Sequence, residues 1–323
     1  MGIFPSECSM TYGETEKVSA PDVMLREAGF SVSKKCCSRP SCFDFAARKN
    51  DTLLLVKVQS DIDNLSLSDS EELMAISESV SAASLLIGER TRERPLEDDT
   101  VYSRYNVTVV TPKTFESILV QKAYPLIHAG PGGYYVEIDC EVVKRRRLQL
   151  GLSVGEMAEM IGISRRTLYG YERGMAKASV ASAYNIVYVL GVPIAKPIDI
   201  FEKARGQRKC FLASAKFALT KSRLLQRILK KFARCNVMTV KRAPFDFVIT
   251  VPEEKMRIIG GVADGKENEL NRRVDEILSV SKIVRAYPIL VTDEKKPSEK
   301  NIMCICKDEL SQIKNPEDLI VKA

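Results

Sequence analysis

Between Leu152 and Gly174 the chain reads LSVGEMAEMIGISRRTLYGYERG, and its punctuation leaves room for little besides two short helices joined by a tight turn. Ser153, followed three positions later by Glu156, forms a capping box that opens the first helix. That helix buries Met157, Ala158 and Ile161. Gly162 supplies the positive φ of the turn, and Ile163 tucks into the core as the chain reverses. Ser164 caps a second helix, on which Leu168 and Tyr171 lie three apart and face inward. Arg165, Arg166, Tyr169, Gly170 and Arg173 are left on the outer side, with two arginines in the first turn.

A helix presented in this way places its N-terminal residues against base edges in the major groove, where arginine bridges O6 and N7 of guanine with two parallel bonds. Arg165 and Arg166 are the candidate base readers. The candidate DNA-binding set is Ser164, Arg165, Arg166, Tyr169, Gly170 and Arg173. The segment resembles the Cro and lambda-repressor-like domains from about Glu141 to Val192. The resemblance is carried by the basic leading helix VVKRRRLQLGLS, the Ala158 and Gly162 pair, the ISRRTLYGYERG core and the apolar helix ending at Leu190-Gly191. It implies a bundle of five short helices that binds double-stranded DNA, commonly as a dimer on two half-sites. Gly170 departs from the family, whose members often carry a side chain there that reaches DNA.

At 323 residues the chain is too long for this module alone, and two or three domains are expected. No apolar run approaches the length that spans a bilayer. The opening residues, MGIFPSECSMTYGETEK, lack the basic start and apolar core of a secretory signal, so a cytoplasmic location without membrane contact is expected. The cysteine count of 9 is odd and scattered, which fits reduced thiols. Cys36, Cys37 and Cys42 cluster, yet with Cys8 they match no zinc spacing, and the only histidine, His128, is remote. No metal, cofactor or catalytic residue is assigned. Residues 203–242 hold many Lys and Arg and no Asp or Glu, a stretch suited to phosphate contact or to a solvated face. Within it Phe217, Leu224, Leu225, Ile228 and Phe232 recur at helical spacing, so an amphipathic helix is expected.

The flanks of the central segment repeat one order of elements. Each runs from a short helix through a strand, a Phe-Asp-Phe motif at 43–45 or 245–247, and an apolar strand at 53–58 or 256–262. A helix near 70–81 or 267–279 and a further strand follow. Continuous apolar strands suit the middle of a sheet covered on both faces. A period of this size implies duplication of a whole domain, since solenoid repeats are much shorter.

This order resembles the restriction-endonuclease-like fold of the PD-(D/E)xK nucleases. The resemblance implies two acids that hold a divalent metal and a lysine that assists the attacking water. Asp44 stands for the first acid and Lys57 for the lysine, but the second acid falls on Leu55. In the second flank Asp246 remains, while MRIIGG offers neither acid nor lysine. Both flanks therefore read as nuclease-like folds without nuclease chemistry. The whole arrangement resembles a group of archaeal helix-turn-helix proteins assigned to transcriptional regulation.

The expected fold is multidomain α/β plus all-α. It comprises an extension (1–20), an α/β domain (21–129), a linker (130–138), the helical domain (139–195), a linker (196–211) and a second α/β domain (212–323). The expected protein is a homodimeric regulator whose helix 164–173 reads DNA and whose flanks pair subunits, with the transcription machinery as a further partner. An active nuclease using Asp44, with Glu71 or Asp61 in place of the missing acid, and a protein-binding adaptor stay open.

Overall fold

The strand Leu53–Val56 is apolar without interruption because the sheet it crosses is covered on both sides: Leu53 and Leu55 enter one core, Leu54 and Val56 another. The computed structural model describes residues 19–202, 223–232, 235–251, 256–263, 269–292 and 302–313. From the N-terminal side it gives α1 (Pro21–Glu27), β1 (Ser31–Val32), β2 (Phe45–Lys49), β3 (Thr52–Val58), α2 (Leu67–Val80) and β4 (Ala83–Ile87). There follow β5 (Thr100–Arg104), β6 (Val107–Val110), α3 (Pro112–Val120), β7 (Ile127–Gly130) and β8 (Gly133–Val136). The helical region holds α4 (Cys140–Gln149), α5 (Val154–Ile161), α6 (Arg165–Glu172), β9 (Ala178–Ser179) and α7 (Val180–Leu190). The remainder is α8 (Arg223–Lys231), β10 (Asn236–Thr239), β11 (Phe247–Val251), β12 (Met256–Ala263), α9 (Leu270–Val284), β13 (Tyr287–Thr292), β14 (Met303–Cys306) and α10 (Lys307–Gln312).

Two sheets organise these elements, with orders β1-β2-β3-β4-β6-β5-β7-β8-β9 and β10-β11-β12-β13-β14. In the first, β1, β2 and β3 are antiparallel, and β3, β4 and β6 are parallel. In the second, β10, β11 and β12 are antiparallel, and β12, β13 and β14 are parallel. The helix between the second and third of these pairings is α2 in one and α9 in the other. α2 begins before the expected 70–81 because Ser66, the first of several serines able to cap it, accepts the Asp69 N–H at 3.1 Å. α9 runs past the expected 267–279, to a left-handed Arg285.

The two sheets pack on each other inside one chain. α2 supplies Leu73, Ile76 and Val80, and α9 supplies Ile277, Val280 and Val284, to one core lying between the sheets. α2 touches β11 as well as its own β3 and β4; α9 touches β2 as well as β12 and β13. Polar contacts are likewise exchanged. Glu276 accepts the N–H groups of Cys37 and Ser38, and Glu72 accepts those of Lys241 and Arg242. Arg48 donates to the Ile283 and Val284 carbonyls at the end of α9, and Arg257 to Ser81 at the end of α2. Both are cations at helix C-termini, where the backbone dipole is negative. The faces of the two flanks that meet are thus closed against each other within the chain. The outer faces are covered by α1 and α3 on the first sheet and by α8 and α10 on the second.

Residues 130–138 are not the linker their Gly-Pro-Gly-Gly composition suggests. Pro131 and Gly132 close the hairpin β7–β8, which joins the first sheet through the parallel pair β5–β7 and continues into β9. Glycine and proline punctuate hairpins and linkers alike, and the strand that receives this hairpin is distant in sequence. The second expected linker is also anchored where it is described: Ile200 is buried with α1 and α3, and Phe201 packs on Phe30 at 6.3 Å. Residues 203–211 lie outside the described residues, as do 1–18 of the expected extension.

The amphipathic helix expected in the basic stretch is α8, with Leu224, Leu225, Ile228, Leu229 and Phe232 buried and Arg227 and Lys230 exposed. Phe217, Lys203, Arg205, Arg208, Lys209, Lys216, Lys221 and Arg234 lie outside the described residues. Cys36 and Cys42 are buried in the core between the sheets, and burial pushes both thiols up, away from the thiolate that a metal requires. Cys8 lies outside the described residues.

Candidate DNA-binding surface

Local sequence builds the helical unit as expected up to α7. Asp139 accepts the Glu141 and Val142 N–H groups to start α4. Ser153 and Glu156 exchange bonds of 2.7 and 3.1 Å to start α5, and these bonds hold the Glu156 carboxyl below its ordinary value. Gly162 ends α5 at φ 73°, with open space where a Cβ would stand. The Ile163 N–H then returns to the Ala158 carbonyl at 2.9 Å, and Ser164 accepts the Thr167 N–H at 3.0 Å to start α6. Met157, Ala158, Ile161, Leu168, Tyr171, Ala183, Ile186 and Leu190 form one core with Val136 and Ile138 of the hairpin. Among the described residues this unit holds four helices, one fewer than the family resemblance implies. Beyond α7 the chain turns back as extended backbone, with Ala195 bridged to Ile138.

A buried ion pair sets the pitch of α6 against α4. Arg147 Nε and Nη2 reach the two oxygens of Glu172 at 2.5 and 3.0 Å, and Arg147 Nη1 donates to the Leu152 carbonyl at 2.7 Å. The fork geometry fixes orientation as well as distance, and the carboxylate raises the arginine pKa. Sequence reasoning missed this pair. Its available signal was the placement of Arg147 four residues after buried Val143, and of Glu172 beside buried Tyr171.

Glu172 is the only acid of α6, and it is turned inward and neutralised. The outer face carries Ser164, Arg165, Arg166, Tyr169 and Arg173, all exposed, with partly exposed Gly170 between them. A Cβ at Gly170 would meet nothing within 4 Å, so that stretch of backbone lies open. Arg173 stacks its guanidinium on the Tyr169 ring at 4.4 Å. Arg165 lies against Gly155 of α5, where a Cβ would stand 2.7 Å from its Nε. That contact has no periodic signature in sequence. The six expected residues therefore share one surface, a cationic helix face with no acid on it.

The acid and lysine positions of the flanks have a different environment. Asp44 accepts from Lys57 Nζ at 3.1 Å and from the Val58 N–H at 2.7 Å; Lys57 also donates to the Ser41 carbonyl at 2.9 Å. Leu55, where a second acid would stand, is 1% exposed. In the second sheet Asp246 accepts the Val262 N–H at 2.6 Å and Arg39 Nη1 at 2.8 Å, and it pairs with Arg273. Arg273 also donates to the Pro244 and Val262 carbonyls. A divalent cation needs several oxygen ligands free to turn toward it. Each site offers one carboxylate already held by cations, and no group of three or more described His, Cys, Asp or Glu residues is placed to hold a metal. These residues do not fit the metal of a nuclease.

Residues 17–125 match the PD-(D/E)XK superfamily domain, and residues 143–196 match the helix-turn-helix domain. No described helix is long and apolar enough to cross a membrane. Among similar proteins, one from Methanocaldococcus jannaschii is 34% identical over 302 residues, covering 92% of each chain. Another from Archaeoglobus fulgidus is 31% identical over 298 residues, covering 92% of this chain and 93% of its own. A third from Pyrococcus furiosus is 32% identical over 300 residues, with the same coverage as the second. All three bear the name of candidate HTH-type transcriptional regulatory proteins. These alignments run nearly end to end, and the chain belongs to this family of archaeal HTH-type proteins.

Proposed function

We propose that the protein is a sequence-specific, double-stranded-DNA-binding transcriptional regulator that acts as a homodimer and is not an enzyme. The observation that carries this reading is the outer face of α6: three arginines, an aromatic ring and an open glycine, with the helix's only acid paired internally. Arg165 and Arg166 read base edges from the first turn, and Ser164 faces the phosphates. Tyr169, with Arg173 stacked on it, lies along the groove wall, and Gly170 lets the backbone approach the duplex. The names of the relatives support regulation as the purpose of that contact.

The two α/β units are, in this reading, copies of one restriction-endonuclease-like domain that surround the helical unit. Matching pairs lie at one constant interval along the chain and take matching roles. Glu72 and Glu276 cross to the opposite unit, Ser81 and Arg285 are left-handed helix ends, and Val58 and Val262 donate to the aspartates. The domain spans proposed are 21–129, 139–195 and 212–323. The units serve as a rigid body that carries the reader.

Selection of sites from a random duplex library tests the reading. The wild type is expected to enrich a palindrome with half-sites about 34 Å apart, or one helical turn. Arg165→Ala is expected to cost about 1–3 kcal/mol on that site and little on random DNA. Equal loss on both sequences would remove Arg165 as a base reader, and weak binding without preference at low salt would point to an adaptor instead.

A further inference from the structure

We infer that the outer face of α7 is the surface on which a second copy of this chain docks, an inference that rests on the dimeric reading above. All eleven residues of α7, VASAYNIVYVL, are uncharged, although 28% of the chain is charged. Ala183, Ile186 and Leu190 face the core. Tyr184 and Tyr188, one turn apart, are 70% and 81% exposed, and Val180 and Val187 are exposed beside them. A helix face that only meets water normally carries charges at such positions. The Asn185 amide reaches the Ile161 carbonyl at 3.2 Å, which sets the end of α5 against α7, and Met160 at that end is 58% exposed. Tyrosine and methionine are enriched, and charged residues depleted, at the centres of protein interfaces.

Charge selects the occupant. The chain has a net charge of +7, so two copies repel wherever their basic surfaces face each other. A two-fold contact brings the same patch together from both sides and must complement itself. The α7 face satisfies this with no like charges to oppose, and each tyrosine hydroxyl both donates and accepts. Nucleic acid or an anionic membrane would require cations, which α7 lacks, and a charged peptide would require an opposite charge. The α/β units offer no comparable face among the described residues, since the apolar sides of both sheets are covered within the chain. Two tyrosines from each copy would cover roughly 600 Å², a substantial part of the ~1,200–2,000 Å² that specific interfaces bury.

The test is sedimentation of the full-length protein at low micromolar concentration, wild type against Tyr184→Glu/Tyr188→Glu and Tyr184→Ala/Tyr188→Ala. The wild type is expected to be a dimer. Both variants should keep the circular-dichroism spectrum of the folded wild type, with dimer dissociation constants raised by ~100-fold or more, and Tyr188→Phe should stay dimeric. A monomeric wild type, or variants that remain dimers, would overturn the assignment. Site selection with the same proteins separates this inference from the DNA reading. A monomeric wild type that still enriches a motif removes the interface and leaves the reader intact. A dimer broken by the variants with no enriched motif in any sample leaves the interface and removes the reader.

Discussion

Asp44 and Asp246 each follow a Phe, precede a Phe, and accept an N–H from the adjoining strand, from Val58 and Val262 respectively. The cation beside them differs. In the first sheet it is Lys57, which comes from the strand itself and is 15% exposed on its side chain; in the second Arg39 holds one oxygen and Arg273, which comes from α9 and is 0% exposed, holds the other. Gly261 explains the exchange. It stands next to Val262 as Lys57 stands next to Val58, and a Cβ there would lie 2.8 Å from Ile277 and 3.5 Å from the Arg273 guanidinium. A cation delivered from the helix needs the space that a strand side chain would fill. Both aspartates work as structural acceptors, one for a cation at the margin of the core and one for a cation inside it.

Asp246→Ala should therefore have the largest effect, about 3–5 kcal/mol of lost stability, because it leaves a fully buried guanidinium without a compensating carboxylate. Urea denaturation of the full chain measures it, and a loss below 1 kcal/mol would mean that Arg273 finds water or another partner. Leu55→Glu restores the missing acid of the first sheet at a position closed to solvent. Burying that polar group should cost about 2–4 kcal/mol. Neither this variant nor the wild type should gain melting temperature on addition of Mg²⁺; a rise in the variant would show that the first sheet keeps the geometry of a metal site. Asp44→Ala should cost only about 1–2 kcal/mol, since Lys57 keeps the Ser41 carbonyl and reaches solvent. If Asp44→Ala costs as much as Asp246→Ala, the contrast between margin and interior fails.

Much of the helical unit was legible in sequence because its signals are local. Ser153, Glu156, Gly162 and Ser164 each bond or turn within four residues of themselves, so spacing alone places them. The apolar run of β3 correctly required cover on both faces, yet it could not name α9 as part of that cover. Leucine and valine carry no record of which helix they meet, and the partner lies more than 200 positions away. The same limit hid Glu72 and Glu276, which read as solvated helix acids and instead hold loops of the opposite unit. The surface residues of α6 were found by helical phase, while the contacts that tune them, Arg165 on Gly155 and Arg147 on Glu172, depend on how α4, α5 and α6 cross.

A second contrast between the sheets concerns their edges: the first runs on through β7 and β8 into the helical unit, whereas the second ends at β14 among the described residues. His128 on β7 is a probe of that seam, and as the only histidine it gives a single imidazole signal. Burial lowers its pKa from 6.5, Lys177 of the helical unit lowers it further, and Glu137 opposes them. A folded value below the unfolded one means that the unfolded chain binds the proton more readily. The seam is thus at full stability above about pH 6.5 and weakens as pH falls through that value. Proton NMR titration should place the His128 midpoint below 6.5, and Lys177→Ala should raise it. A midpoint at or above 6.5 that ignores Lys177 would mean the histidine is solvated, and the helical unit would then swing freely from the first sheet instead of extending it.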